Sequence, residues 1–177
     1  MMTGSTLELR QFIRDVPDFP KPGILFRDIT PLLAAPAAFG ECIRRMADRF
    51  ENRGIHAVVA AEARGFIFAA PLALRLNAAF VPVRKPGKLP FQTRAQTYAL
   101  EYGTDTLEMH VDGVQAGCRV LVVDDLLATG GTVNACCQLV QRAGAVVVGC
   151  AFAIELRGLR GALLIAPHET FSVIQYD

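Results

Sequence analysis

The order of apolar segments predicts an α/β fold, in which helices flank a mainly parallel central sheet. Four apolar runs of five to ten residues lack the alternation of a strand with one wet face, which is typical of strands buried on both faces. Patterns with helical period separate the first two runs and the last two. Because 177 residues suffice for one full core, we expect a single domain over residues 1–177.

The first 30 residues predict a short helix and then an extended segment. Ser5 to Val16 has an amphipathic pattern, and Ser5 and Glu8 have the spacing of a capping box. The segment PDFPKPG ends this helix because proline and glycine do not continue it. The segment ILFRDIT then predicts a short strand.

Downstream, a longer helix and five strands are predicted. The helix covers Pro36 to Arg53 and ends at Gly54, because apolar residues recur every three or four positions, at Phe39, Ile43, Met46 and Phe50. Lys85 to about Gln96 has no regular pattern, and irregular loops of this length are usually functional or disordered. The predicted strands are HAVVAAEARG, AAFVPVRK, RVLVVDD, AVVVGCAFAIEL and FSVIQYD.

Composition excludes several classes of protein. A net charge of +1 provides no global field to attract nucleic acid or an acidic membrane, and 52% hydrophobic residues argue against disorder. The N-terminus has no apolar core of a signal peptide, and the longest apolar run, Ala145 to Ile154, has about half the length that crosses a bilayer. Five cysteines without CxxC spacing predict buried thiols in a reducing compartment. We therefore expect a cytoplasmic protein without nucleic-acid or membrane partners.

The segment VLVVDDLLATGGT predicts an anion site. Asp124 and Asp125 follow the strand VLVV, at the rim where open α/β sheets bind ligands. A loop of small residues then enters a helix, whose N-terminal N–H groups and dipole favour a phosphate. Carboxylates would repel that phosphate unless they meet ribose hydroxyls or Mg²⁺, so the spacing predicts a sugar 5-phosphate. The predicted phosphate cradle is Ala128, Thr129, Gly130, Gly131 and Thr132.

The same 13 residues resemble the phosphoribosyl-pyrophosphate (PRPP) motif of type I phosphoribosyltransferases. With DFPKPGILFRDITPLL, EARGFIF, VPVRKPGKLP and YALEYGTDTLEMH, in that order, the chain resembles the adenine phosphoribosyltransferase family over nearly its whole length. The resemblance implies the type I phosphoribosyltransferase fold, with a small N-terminal hood over about residues 1–33 and a flexible lid loop over about 85–109. It also implies purine salvage, in which adenine and PRPP give AMP and pyrophosphate with Mg²⁺, and a homodimer.

The resemblance also implies roles for single residues. Asp124 and Asp125 are expected at the ribose hydroxyls, directly or through Mg²⁺ carried with PRPP, and no direct metal ligand is certain. The implied catalytic residues are Glu101, Asp124, Asp125 and Arg64. The implied pyrophosphate contacts are Glu62, Ala63, Arg64, Gly65 and Lys85. Phe26 and Arg27 are expected at adenine, and the implied lid residues are Arg84, Lys88 and Tyr102.

Plainer interpretations stay open for these residues. Arg64, Arg84 and Lys88 could be solvated surface charges, Phe26 a core aromatic, and the Gly-rich loop an ordinary turn from strand to helix. Two other functions also stay open: a phosphoribosyltransferase for another purine base, and a PRPP-binding regulator without catalysis. Such regulators usually carry a DNA-binding domain and a basic surface.

Overall fold

The computed structural model describes residues 7–99 and 103–177. The chain divides into two compact units, residues 1–45 and 46–177, and the larger unit contains the central sheet. The assignment of residues 1–33 to a hood and of 85–109 to a flexible lid stays a prediction.

The first unit contains a small antiparallel pair of strands. Strand β1 (Arg14–Pro17) pairs with β2 (Leu25–Asp28), in the register Val16↔Phe26. The expected helix from Ser5 to Val16 is wrong over its described residues, where a 3-10 turn, Leu9–Phe12, precedes β1; Ser5 itself lies outside the described residues. Pairing with β2 holds residues 14–17 extended, which overrides the helical pattern of residues 14–16. The strand predicted at ILFRDIT is confirmed as β2.

Helix α1 (Thr30–Ala34) and helix α2 (Pro36–Phe50) follow. The predicted helix from Pro36 to Arg53 is confirmed, with its last turn in the 3-10 form. Gly54 has a φ of 61°, so the left-handed conformation ends the helix as predicted.

The second unit is built on five parallel strands. Their order is β4-β3-β7-β8-β9, so the predicted parallel sheet is confirmed. The strands of this unit are β3 (Ala57–Ala61), β4 (Ala79–Val83), β5 (Thr93–Ala99), β6 (Thr104–His110), β7 (Arg119–Leu127), β8 (Val146–Leu156) and β9 (Thr170–Tyr176).

Helices α3 (Gly65–Arg75), α4 (Gly131–Arg142) and α5 (Gly161–Leu164) complete this unit. An apolar face of α4 is buried in one cluster with β3 and β7, at Val133, Cys136, Cys137 and Val140. Within residues 7–99 and 103–177, no helix has the length and apolar character needed to cross a membrane.

Strands β5 and β6 form an antiparallel hairpin, which the sequence did not predict. The expected irregular segment is therefore wrong from Thr93 onward. The hairpin is fastened to α4, because Arg142 Nη1 donates to Ala95 O at 3.3 Å and to Gln96 Oε1 at 2.9 Å. Strand β5 lacks the alternation of apolar residues by which a strand is recognised in sequence, so its contacts with a distant helix could not be predicted.

Candidate active site

The candidate site lies where β7 is no longer paired with β3 but is still paired with β8. Pairing with β3 ends at Val123↔Ala60, whereas pairing with β8 continues to Leu127↔Glu155. Strand β7 is thus longer than the predicted VLVV, and Asp124 and Asp125 lie inside it rather than after it. A cavity of about 210 Å³ lies at this edge, lined by Arg64 and residues 124–133.

The phosphate loop, residues 128–132, forms the turn from β7 into α4. Gly130 has a φ of +88°, a left-handed conformation that glycine adopts without penalty. Its carbonyl accepts the N–H of Asn134 at 2.9 Å, which begins the helix. Among the described residues, no side chain caps this helix. The N–H groups of its first turn therefore point toward the cavity's edge as donors for an anion.

The two aspartates have different neighbours, because successive side chains of a strand leave on opposite faces. The Asp125 carboxylate is 8% exposed, and its Oδ2 lies 2.8 Å from Arg64 Nε. Asp124 Oδ1 accepts the N–H of Asp125 at 2.9 Å. Burial, followed by the neighbouring charge of Asp125, raises the pKa of Asp124 well above its ordinary value. The site therefore contains one ion-paired carboxylate and one that binds a proton unusually tightly.

Residues 62–65 connect β3 to α3 and reach the same edge. The Glu62–Ala63 peptide bond is cis. Gly65 lies so close to Asp124 that a Cβ atom on it would be 2.8 Å from Oδ1. Of the predicted pyrophosphate residues, Arg64 lines the cavity itself and Gly65 borders it through Asp124.

Glu62 joins this connection to the end of β4. Its Oε2 accepts from Arg84 Nε at 2.7 Å, and its Oε1 accepts the N–H of Lys85 at 3.0 Å. Burial alone would raise the pKa of Glu62, but these hydrogen bonds and the charge of Arg84 outweigh burial and lower it. An ionised Glu62 would repel pyrophosphate. We therefore expect Glu62 to hold Arg84 and Lys85 in position rather than to contact pyrophosphate itself.

Lys85 and the phosphate loop are linked by two residues of the hairpin that the sequence analysis missed. Lys85 Nζ lies 3.1 Å from Asp105 Oδ2, and this contact raises the pKa of the lysine. The Tyr98 hydroxyl lies 3.5 Å from the same Asp105 oxygen and 3.4 Å from Thr132 Oγ1. Asp105 lies in the segment YALEYGTDTLEMH, but only the fold brings it to Lys85. Lys88 contributes its carbonyl, which accepts from Arg84 Nη1 at 3.3 Å.

The expected adenine residues belong to the first unit. Phe26 lines a largely apolar pocket of about 180 Å³ with Val16, Phe19 and Asp28, and its ring meets Phe19 edge to face at 5.1 Å between centroids. No sequence motif marks Val16 or Phe19 as part of this pocket. Arg27 forms an ion pair with Asp15. Glu101 and Tyr102, the other expected substrate residues, lie outside the described residues.

Comparison with known proteins gives concordant results. The model of the phosphoribosyl transferase domain family matches residues 28–174. Adenine phosphoribosyltransferase from Rhodopirellula baltica is 57% identical over 170 residues, which cover 96% of this chain and 82% of that protein.

Solved structures of adenine phosphoribosyltransferases are also similar to this chain. The crystal structure of adenine phosphoribosyltransferase from Thermoanaerobacter pseudethanolicus is 49% identical, covers 97% of this chain and 100% of that chain, and superposes with a TM-score of 0.93. The Saccharomyces cerevisiae enzyme, complexed with D-2,5-dideoxy-2,5-imino-altritol 1,6-bisphosphate and adenine, is 37% identical, covers 95% of this chain and 97% of that chain, and has a TM-score of 0.89. The chain therefore belongs to the phosphoribosyltransferase family and, within it, to the adenine phosphoribosyltransferases.

Proposed function

We propose that the protein transfers the phosphoribosyl group of PRPP to adenine, giving AMP and pyrophosphate. One observation carries the proposal: the N-terminus of α4, without a side-chain cap among the described residues, and the carboxylates of Asp124 and Asp125 line one cavity. Hydrogen-bond donors for a phosphate and acceptors for hydroxyl groups so close together suit a sugar phosphate. Family membership and the adenine bound in the yeast relative support the choice of base.

The ribose 5-phosphate part of PRPP fits the α4 side of the cavity. The N–H groups of residues 128–132 would donate to the phosphate oxygens, with the helix dipole adding to the attraction. Ribose hydroxyls would donate to Asp124 and Asp125. These carboxylates stand where the ring becomes oxocarbenium-like, and the negative charge of the ion-paired Asp125 would stabilise the transition state more than the ground state.

The leaving group fits the opposite side, near Arg64 and Lys85. As the bond from C1′ to the pyrophosphate oxygen breaks, its electron pair leaves with pyrophosphate, and an adenine nitrogen forms the new bond to C1′. Arg64 carries a planar guanidinium suited to phosphate oxygens, and Lys85 carries a compact charge. Arg64, which lines the cavity, contacts the carboxylate of Asp125, and Lys85 contacts the carboxylate of Asp105. For the proton that adenine loses, we propose Glu101 as the acceptor.

Mg²⁺ fits this arrangement as an ion that enters with PRPP. Residues 7–99 and 103–177 contain no group of three or more His, Cys, Asp or Glu side chains able to hold a metal. Mg²⁺ needs no such group, because it keeps several waters and binds one or two carboxylates together with substrate phosphates. Asp124 and Asp125 are the carboxylates that would hold it. Bound there, the ion would offset negative charge on the departing pyrophosphate.

Steady-state assays with labelled bases test the proposal. Adenine, guanine, hypoxanthine and xanthine are each supplied with PRPP and Mg²⁺, and only adenine should give a nucleotide and pyrophosphate. Turnover of a 6-oxopurine without turnover of adenine would favour the alternative transferase. PRPP binding without turnover of any base would favour the regulator.

We further propose that the protein is a cytoplasmic homodimer. A homodimer follows from the family resemblance, and light scattering should give twice the mass of one chain. A cytoplasmic location is supported by the five free thiols, four of them buried.

A further inference from the structure

The phosphate loop is contacted from behind by the backbone of a segment 30 residues downstream. This segment consists of a 3-10 turn, Arg157–Leu159, and α5. A Cβ atom added to Gly161 would lie 2.3 Å from Ala128 O and 3.0 Å from Gly130 N. Reciprocally, a Cβ atom added to Gly130 would lie 2.7 Å from Gly161 O. Two glycines thus meet with no room for a methyl group on either side.

Position 161 requires glycine because a side chain would not fit there, and not because of its backbone conformation. Its φ lies outside the left-handed region, whereas Arg160 before it has a φ of 55° and turns the chain into α5. Gly158, in the same segment, has nothing within 4 Å of its Cβ position. The close contact is therefore local to Gly161 and absent three residues earlier.

Peptide geometry links this contact to the proposed phosphate donors. Ala128 C=O and Thr129 N–H belong to one planar peptide unit, which is trans, so they point in opposite directions. Backbone packed against the Ala128 carbonyl therefore sets the direction of the Thr129 N–H. The same contact adjoins the backbone nitrogen of Gly130.

We propose that Gly161 is a positioning residue for the 5-phosphate of PRPP, acting through the Ala128–Thr129 peptide. The inference rests on the proposed function. Ordinary contact with the Ala128 oxygen begins near 3.4 Å, so Gly161→Ala must displace one backbone by about 1 Å. Misplacement of this size lowers the efficiency of a site by about 100-fold. The KM for PRPP should rise by about 10- to 100-fold, and the KM for adenine should stay within about twofold of wild type.

Calorimetric titration with ribose 5-phosphate separates this proposal from the proposed function. Wild type and the control Gly158→Ala should bind it equally, and Gly161→Ala should bind it at least about 10-fold more weakly. Failure of wild type to bind would overturn the proposed function. Equal binding by wild type and Gly161→Ala, or equal increases in both KM values, would overturn the role of Gly161.

A measurement on wild type covers the case in which Gly161→Ala does not fold. Ribose 5-phosphate added to the wild-type protein should shift the amide NMR resonances of Thr129 and Gly161 together. The resonance of Gly158 should stay in place. A shift at Thr129 without one at Gly161 would contradict the coupling.

Discussion

Gly65 brings the start of α3 against the carboxylate of Asp124, and Gly65→Ala tests that contact. The added methyl carbon would lie 2.8 Å from Asp124 Oδ1, 3.3 Å from Val123 O and 3.4 Å from Ala60 Cβ. Ordinary contact begins near 3.4 Å, so the carboxylate or the helix must retreat by about 0.6 Å. Asp124 Oδ1 also accepts the N–H of Asp125, and retreat of the carboxylate weakens that bond.

Gly65→Ala is expected to lower both the stability of the protein and its turnover. Overpacking of a closed site costs about 1–3 kcal/mol of unfolding free energy, and for a domain of this size each kcal/mol lowers Tm by about 2–4 °C. Displacement of Asp124 from the ribose should lower kcat by about 10- to 100-fold. Thermal unfolding measures the first part, and steady-state turnover of adenine and PRPP measures the second.

A helical glycine with open surroundings provides the control. Gly40, in α2, has nothing within 4 Å of its Cβ position. Gly40→Ala should therefore leave kcat unchanged and leave stability unchanged or higher by up to about 1 kcal/mol. If Gly65→Ala kept both the Tm and the kcat of wild type, the close approach of α3 to Asp124 would be refuted.

Three further substitutions test other contacts. Asp125→Ala should lower kcat by about 100-fold or more with an unchanged circular dichroism spectrum, and a rate near wild type would remove this carboxylate from the mechanism. Arg64→Ala should raise the inhibition constant of pyrophosphate more than that of AMP, and equal increases would count against its assignment. Hydrogen bonds from Arg44 and Arg45 lower the pKa of Glu41 to about 2, so their stabilising effect is complete above the unfolded value of 4.5 and is lost as pH falls through about 2. Glu41→Gln should therefore lower stability at pH 7 by about 1 kcal/mol or less, and a difference that persisted in acid unfolding near pH 2 would be inconsistent with the ion pairs.

Local sequence was sufficient to predict the turn from β7 into α4 and the parallel sheet. Strand β7, the small residues of the loop and the apolar face of α4 are contiguous, and their order alone puts a helix N-terminus beside Asp124 and Asp125. The strands buried on both faces are long apolar runs that no solvent-exposed element would contain.

The structural features that the sequence did not predict depend on contacts between distant segments of the chain. Residues 14–16 fit a helical pattern, but β2 holds them extended. Strand β5 has polar residues on both faces, and the hairpin is anchored by Leu107 and Met109 of β6, which are buried in the core. Gly161 and Asp105 reach the site through contacts that span 20 residues or more of chain, so no motif marks them.

A crystal structure of the protein with AMP tests the central claim most directly. The account predicts phosphate oxygens within about 3.2 Å of the backbone nitrogens of residues 128–132, with the ribose hydroxyls at Asp124 and Asp125. A nucleotide whose phosphate lay away from the N-terminus of α4 would contradict the account.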